Sequence, residues 1–409
     1  MTKIQSIYEL DYEPKRLALK LSKSGEKHVL SGHPWLFSNR IDKLNREGNP
    51  GDVAIIFGKK NNSVIGVGLF DPNSPIRVKL LHHNGGIAVD SAFFEQNVQD
   101  AFSKRIPLLK TETNSYRLIF GESDKFPGLI ADVYASVLVV KLYSEIWLPY
   151  LEIIVNHLLT ISNCKTAVLR LSRGVQRSKY VKVNDGAVIY GTLKDEVVVF
   201  KEHGINFSAN VIYGHKTGYF LDHRENRRRV GLLSQNKNVL DVFSYAGGFS
   251  VHALANGANE VTSLDISQKA LEVATNNARL NDSRGVHKTI VGDAFEVMKV
   301  LVKRKKVYDL VIVDPPSFAK QQSEISLAKK KYAELAELAS KLIGKNGILV
   351  LASCSSRVSS KVFFDINLAT LKAQPRTFSV LDKTYHDIDH PINFPEGAYL
   401  KCGYYQFDV

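Results

Sequence analysis

Hydrophobic and polar positions divide the chain into three rhythms. From about Leu17 to His83, apolar residues alternate with polar ones in short runs that end on glycine, asparagine or proline. Val53, Ile55 and Phe57 alternate before Gly58, "KKNN" makes a turn, and Val64 to Phe70 reads as the returning strand. Such strands predict a small β-barrel, which buries them without open edges. From about Asp90 to Val199 the pattern mixes. "SAFFEQNVQDAFSKRIPLL" and "IWLPYLEIIVNHLLTI" have helical spacing, and "LIADVYASVLVVKL" is strand-like. A small α+β domain is expected there.

From about Phe200 onward, strand and helix patterns alternate regularly. "KNVLDVFSYAGGFS" is strand, glycine turn and helix start, and "NEVTSLDIS" is a strand followed by the helix "SQKALEVATNNARLN". "VHKTIVGDAFEVM" and "VYDLVIVDPPSF" are two further strands, "AKKKYAELAELASKLI" is a helix, and "GILVLASCSS" is an apolar strand. This alternation predicts an α/β, doubly wound Rossmann-like sheet with ligands at the carboxyl ends of its strands. The expected domains are residues 1–85, 86–198 and 199–409.

Charge narrows the partners. Lys plus Arg number 54 against 41 for Asp plus Glu, a formal net charge of +13, which favours nucleic acid or an anionic membrane surface. No apolar run approaches the roughly 20 residues that span a bilayer, so no membrane partner is expected. "MTKIQSIYELDYEP" carries Lys3, Glu9, Asp11 and Glu13 and lacks the apolar core of a signal peptide. Cys164, Cys354 and Cys402 cannot build a disulfide framework and lack C-x-x-C spacing. Free thiols, no metal and a cytoplasmic location are the expectation.

Candidate chemistry gathers at the strand ends. Asp241, Asp265, Asp293 and Asp314 each stand near the carboxyl end of a successive strand. Any one of them can serve as a helix N-cap. Four in succession outline a pocket for S-adenosylmethionine, with acids for ribose and amino groups and glycines for close backbone approach. The turn at Gly247–Gly248 is not the G-x-G-x-x-G that seats a pyrophosphate. Cys354 stands where the last apolar strand surfaces, between Ser353 and Ser355. Packing as a small buried hydrophobe is its plain structural alternative.

"GHKTGYFLDHRENRRR", "LDVFSYAGGFSVHAL", "SLDIS", "VDPPSFAK", "SCSS" and "DHPINFPEGAYLKC" resemble successive motifs of a bacterial family of S-adenosylmethionine-dependent 23S rRNA (cytosine-C5)-methyltransferases. "GHPWLFSNRI" and the strands after it resemble that family's N-terminal PUA domain, and "YRLIFGESDKFPGLIADVY" its central domain. The resemblance implies that Cys354 is the nucleophile and that Asp314 meets the cytosine edge. A thiolate adding to C6 turns C5 into a carbon able to attack a methyl group, and an activated thiol requires a polar or electropositive site.

The resemblance also implies that Lys216, Thr217, Phe220, Asp222 and Arg224 close over the cofactor. Asp241, Phe243, Ser244, Gly247, Gly248, Asp265, Ile266, Asp293, Ala294 and Pro315 would form its pocket. Pro316, Phe318, His390 and Glu396 are implied on the substrate side, and a homodimer is implied for the assembly. Many RNA cytosine-C5 methyltransferases have a second cysteine where this chain has Ser317, so the base that removes the C5 proton is unassigned. The basic runs His223–Arg229, Lys303–Lys306 and Lys329–Lys331 read as phosphate contacts or as solvated faces. Trp35 reads as a base-stacking residue. Two other readings stay open: methylation of a ring or exocyclic nitrogen, which needs no thiol, and a non-catalytic RNA-binding ribosome-assembly factor.

Overall fold

Alternating side chains of the first block share one core. In the computed structural model, which describes residues 7–60 and 62–408, they do so from six strands. Lys3 of the N-terminal segment and Asn61 of the "KKNN" turn lie outside the described residues. The strands are Arg16–Leu21, Trp35–Phe37, Ile41–Leu44, Val53–Phe57, Val64–Phe70 and Ile76–His83. The first runs parallel to Val53–Phe57, and the other neighbours are antiparallel, including the expected Val53–Phe57/Val64–Phe70 pair. The two edge strands, Trp35–Phe37 and Ile41–Leu44, are joined directly by the turn Ser38–Arg40. The covalent chain thereby bridges the edges that backbone hydrogen bonds leave open. Leu17, Leu19, Leu21, Ala54, Ile56, Val78 and Leu80 fill the interior with Val29 from the helix Lys23–Leu30.

The second block is a five-stranded sheet of Ser115–Phe120, Leu129–Tyr134, Val137–Leu142, Thr166–Leu171 and Ala187–Tyr190, ordered as in the chain. The helices Ser91–Ser103 and Leu151–Ser162 bring Phe94 and Leu158 into a core that also holds Phe126 and Trp147. Asp90 caps the first helix by accepting from Phe93 N at 3.0 Å. Inside the sheet, Arg117 grips Asp132 through two hydrogen bonds of 2.8 and 2.9 Å. Both sheets belong to one compact unit, which also takes Ala209–Leu221 and Ile388–Phe394.

The second unit comprises Glu202–Ser208, Asp222–Asp387 and the residues from Pro395 on. Its seven strands are Asn238–Val242, Glu260–Asp265, Val286–Val291, Tyr308–Val313, Ile343–Ser353, Phe378–Thr384 and Lys401–Phe407. Counted along the chain, they lie in the order 3-2-1-4-5-7-6. All neighbours are parallel except the seventh strand, which is antiparallel to both of its own. The first strand lies between the second and the fourth, so the order reverses there. That switch point opens a crevice at the carboxyl edge. Amphipathic helices cover the sheet. Gln268–Arg279 buries Ala270, Leu271 and Ala274 behind its cap Ser267, and Ile325–Leu342 buries Tyr332, Leu335 and Ala339. No helix among the described residues is long and apolar enough to cross a membrane.

Candidate active site

The crevice begins where the first strand stops. Its turn holds Phe243, Tyr245 and Gly247 at φ of 65°, 47° and 75°, and left-handed backbone at two aromatic residues is a cost that persists only where surroundings impose it. Gly247 answers to packing as well. A Cβ there would sit 2.7 Å from the Cβ of Ala274, so glycine lets the turn close onto the helix Gln268–Arg279.

Asp241 is fully buried. Its Oδ2 accepts from Ser250 N at 3.1 Å and from Ser250 Oγ at 2.6 Å, while Oδ1 has no partner. Burial, helped by the Asp314 and Asp265 carboxylates, pushes its pKa up to about 7. Ser244 Oγ is likewise buried without a partner. Asp265 ends the second strand, taking Tyr245 N on Oδ2 at 2.9 Å and Ser267 N on Oδ1 at 2.8 Å. Beside it Ile266 is 72% exposed, an apolar side chain at the edge of the sheet. Buried atoms wanting a cationic amino group, an acid at ribose position and an exposed apolar surface for a flat ring fit S-adenosylmethionine. Asp293 is occupied differently: it is exposed and caps the helix Ala294–Lys303 by accepting from Glu296 N at 3.2 Å, with Ala294 buried below.

The fourth and fifth strands carry the two candidate reacting residues. Parallel pairing sets Val313 beside Leu351, which brings Asp314 and Cys354 to the same edge. Cys354 is the first residue past its strand, half-buried, with Sγ 3.9 Å from Pro315 O. The expected electropositive setting is not what surrounds it. Burial, then the Asp314 and Asp222 carboxylates, push the thiol up to about 12, with Lys401 acting in the opposite sense. The flanking serines serve the loop: Ser353 Oγ shares a 2.9 Å hydrogen bond with Tyr332 OH and accepts from Ser355 N at 3.3 Å.

Two residues here lie in the quoted motifs without being singled out there as site residues. Lys401 stands between Leu400 and Cys402 in a strand, yet its buried ammonium donates to the carbonyls of Ser355, of Val358 at 2.6 Å and of Tyr399 at 3.1 Å. His223 lies with Nε2 3.4 Å from Asp314 Oδ1. Asn226 Oδ1 accepts from Thr384 Oγ1 at 2.5 Å and Tyr404 OH at 2.9 Å, which turns its Nδ2 toward His223 Nδ1 at 3.2 Å. His223 Nδ1 must then accept, so the proton sits on Nε2 and faces Asp314. Burial lowers this imidazole's pKa and the Asp314 carboxylate overrides it, for a net rise. Protonating Nδ1 would nonetheless displace the Asn226 amide, and the neutral Nε2–H form is the one this network accommodates.

Other predicted residues find varied settings. Pro315 is buried and Pro316 exposed, and half-buried Phe318 packs 5.3 Å from Tyr332, with Lys331 Nζ 5.0 Å above its ring. Ser317 Oγ donates to Ala319 O at 3.3 Å, within its own turn. Asp222 accepts from Tyr399 OH at 3.0 Å. Lys216, Thr217 and Phe220 belong to the first unit. Thr217 is buried and spends its hydroxyl on Asp132 and Tyr134, which fastens its segment to the five-stranded sheet. Lys216 O accepts from Lys141 Nζ at 2.9 Å, and Phe220 is 38% exposed.

The run His223–Arg229 is not the solvated basic face its composition suggested. Arg224 is buried against Asp387 at 2.8 Å, Arg227 is bidentate to buried Glu202 at 2.7 Å, and Arg228 and Arg229 pair with Glu225. The i, i+3 spacing of Arg224 and Arg227 sends both inward, where acids neutralise them, while Arg228 and Arg229 stay partly exposed. Lys303–Lys306 are exposed throughout, as are Lys329 and Lys330. His390 is also off any open rim: it is buried in the first unit, 2.8 Å from Asp389 and 5.0 Å from the Phe120 ring, while Glu396 is exposed in the second unit. His386 lies four residues before it, but in the second unit, where Nε2 accepts from Leu400 N at 3.2 Å. Trp35 donates Nε1 to Glu122 at 2.9 Å and packs edge-on against Phe394, so its indole is half-buried structure. Cys164 and Cys402 are buried.

Comparisons with known proteins identify the family. Residues 117–372 match the S-adenosylmethionine-dependent methyltransferase family, and residues 19–83 match a PUA-like domain. A ribosomal RNA large subunit methyltransferase of Deinococcus radiodurans is 41% identical over 400 residues, covering 96% of this chain and 98% of that protein. Ribosomal RNA large subunit methyltransferase I of Aeromonas salmonicida is 34% identical over 388 residues, covering 93% and 97%. A methyltransferase solved in complex with SAH shares the fold at a TM-score of 0.80 and 22% identity, over 96% of this chain and 100% of that one. The chain therefore belongs to the S-adenosylmethionine-dependent methyltransferases of large-subunit ribosomal RNA, with a PUA-like domain at its N-terminal side.

Proposed function

We propose that this enzyme methylates C5 of a cytosine in 23S rRNA through a covalent bond between Cys354 and C6. The observation that supports it best is the delivery of Cys354 and Asp314 to one edge by adjacent parallel strands, with Sγ 3.9 Å from Pro315 O. Bound at Asp241, Ser244 and Asp265, S-adenosylmethionine supplies an electrophilic methyl group. Cys354 is a thiol at neutral pH, because burial and two carboxylates raise it. Its proton must therefore leave as the base arrives. Asp314 takes that proton and passes it to N3 of the cytosine, so the S–C6 bond forms without net charge on the ring. His223 Nε2, 3.4 Å from the same carboxylate, is placed to hold its orientation as the substrate closes the site. After transfer, loss of the C5 proton to a base breaks the C6–S bond and returns Cys354. Ser317 is not that base, since its hydroxyl is turned into its own loop.

A base must leave its stack to reach this edge, and Pro316 and Phe318 shape the slot. The exposed Lys303–Lys306 run supplies phosphate contacts that position RNA without reading its sequence. The test uses methyl-labelled S-adenosylmethionine, unmodified 23S rRNA and nucleoside mass identification, with wild type beside Cys354→Ala. The expected product is 5-methylcytidine, reduced at least about 10³-fold in the variant. Label on a ring or exocyclic nitrogen that survives Cys354→Ala would establish direct transfer to nitrogen and assign Cys354 to packing.

A further inference from the structure

Lysine is among the residues least often buried, and Lys401 is about 1% exposed inside a strand whose neighbours are apolar. An ammonium has three protons. Here all three are spent on backbone carbonyls: Ser355 and Val358 from the loop that follows Cys354, and Tyr399 from its own approach. The strand pairing explains the reach, because Lys401 lies directly opposite Ser353, one residue before the thiol. An apolar side chain of similar volume would avoid the desolvation of an ammonium but would leave these carbonyls without their donor. A neutral donor would serve the carbonyls equally, so the loop accounts for a donor here and not for its charge.

We propose that Lys401 is the positioning residue of Cys354: its ammonium clamps the loop behind the thiol and supplies the positive charge that stabilises the thiolate. The inference rests on reading Cys354 as the nucleophile. The side chains that act on the thiol are the carboxylates of Asp314 and Asp222, the Tyr332 phenol and Lys401; of these side chains Lys401 favours the thiolate, as does the backbone N–H of Cys354 itself. Burial lowers the Lys401 ammonium to about 8, and Cys354 opposes that fall. At neutral pH the charge is present. As pH rises through about 8 the charge is lost, and with it one of the clamp's three donors.

The test is the rate of Cys354 alkylation by iodoacetamide between pH 6 and 10 on the full-length protein. The modified peptide is read by mass, which separates Cys354 from buried Cys164 and Cys402. In wild type the logarithm of the rate should climb with pH and flatten near 8, where the ammonium disappears. Lys401→Met should react about 5- to 50-fold more slowly at pH 7 and climb without the break. Lys401→Arg, charged throughout, should lose the break while keeping a rate closer to wild type. A Lys401→Met profile that overlays wild type would reduce Lys401 to a strut. Should Lys401→Met fail to fold by circular dichroism, the wild-type curve decides: no break near pH 8 overturns the proposal. The readout involves no RNA, so it stands apart from the Cys354→Ala product test, which judges the nucleophile itself.

Discussion

Glu202 and Asp241 lie in the same unit, both sealed from solvent, and burial leaves them in opposite states. Around Glu202 the protein has gathered compensation: Arg227 bidentate at 2.7 Å and His252 Nε2 at 2.8 Å. Burial alone would raise that carboxyl, but these partners hold it well below the ordinary range. Asp241 receives only Ser250, keeps one oxygen without a partner and is pushed up to about 7. The first carboxylate is a closed account of the fold. The second is left incomplete at the switch point, where a bound cationic group would complete it. Buried charge that is fully paired marks architecture, and buried charge that is not marks the site.

Removing the compensated acid should have the larger effect. Glu202→Gln leaves the Arg227 guanidinium buried beside a neutral amide, and stability should fall by about 3–5 kcal/mol, read as a drop in urea midpoint. If the midpoint hardly moves, the Glu202 cluster is not structural and the contrast collapses.

Asp241→Asn should separate stability from binding. Affinity for S-adenosylmethionine should weaken about tenfold or more by calorimetry, since a charge-assisted contact is lost. Stability should instead rise at pH 8. A folded-state pKa raised from 3.8 to about 7 contributes stability that is full below the unfolded value and is lost as pH rises through about 7. Wild type should therefore lose melting temperature from pH 5 to 8, and Asp241→Asn should lose less. Glu202 works in the other direction: its contribution is present above its ordinary value of 4.5 and fades only in strong acid. Unchanged affinity in Asp241→Asn would remove Asp241 from the cofactor site.

The smallest effect is expected at Asp293, which resembled Asp241 in the sequence and differs from it in the structure. Asp293→Ala should cost about 1 kcal/mol, the usual worth of an N-cap, with affinity for S-adenosylmethionine within about twofold. A tenfold loss of affinity would return Asp293 to the pocket.

These four strand-end acids show how far reading the chain can go. Their positions were legible, because a strand's carboxyl end follows from the period of apolar residues and the helix that comes next. Their separate occupations were not legible. Asp241 keeps one buried oxygen without a partner, Asp265 binds two backbone amides, Asp293 caps a helix and Asp314 meets His223. Thr217 and His390 show the same limit: their place in a motif was legible, but not that Thr217 bonds Asp132 and Tyr134 or that His390 Nδ1 lies against Asp389, all inside the first unit.

By itself the sequence determined the alternation of strands and helices, the PUA-like segment before it, the carboxyl-edge acids and the one cysteine where a buried strand surfaces. Those features depend on local period, turn residues and which side chains water excludes. Only the tertiary structure decided that Arg224 and Arg227 turn inward to acids, that the Cys354 thiol lies among carboxylates, and that Lys401 stands beneath its loop. Charge compensation is settled by whichever group folding brings within hydrogen-bond reach, and such partners can be distant in the chain, as Arg224 and Asp387 are at 163 residues apart.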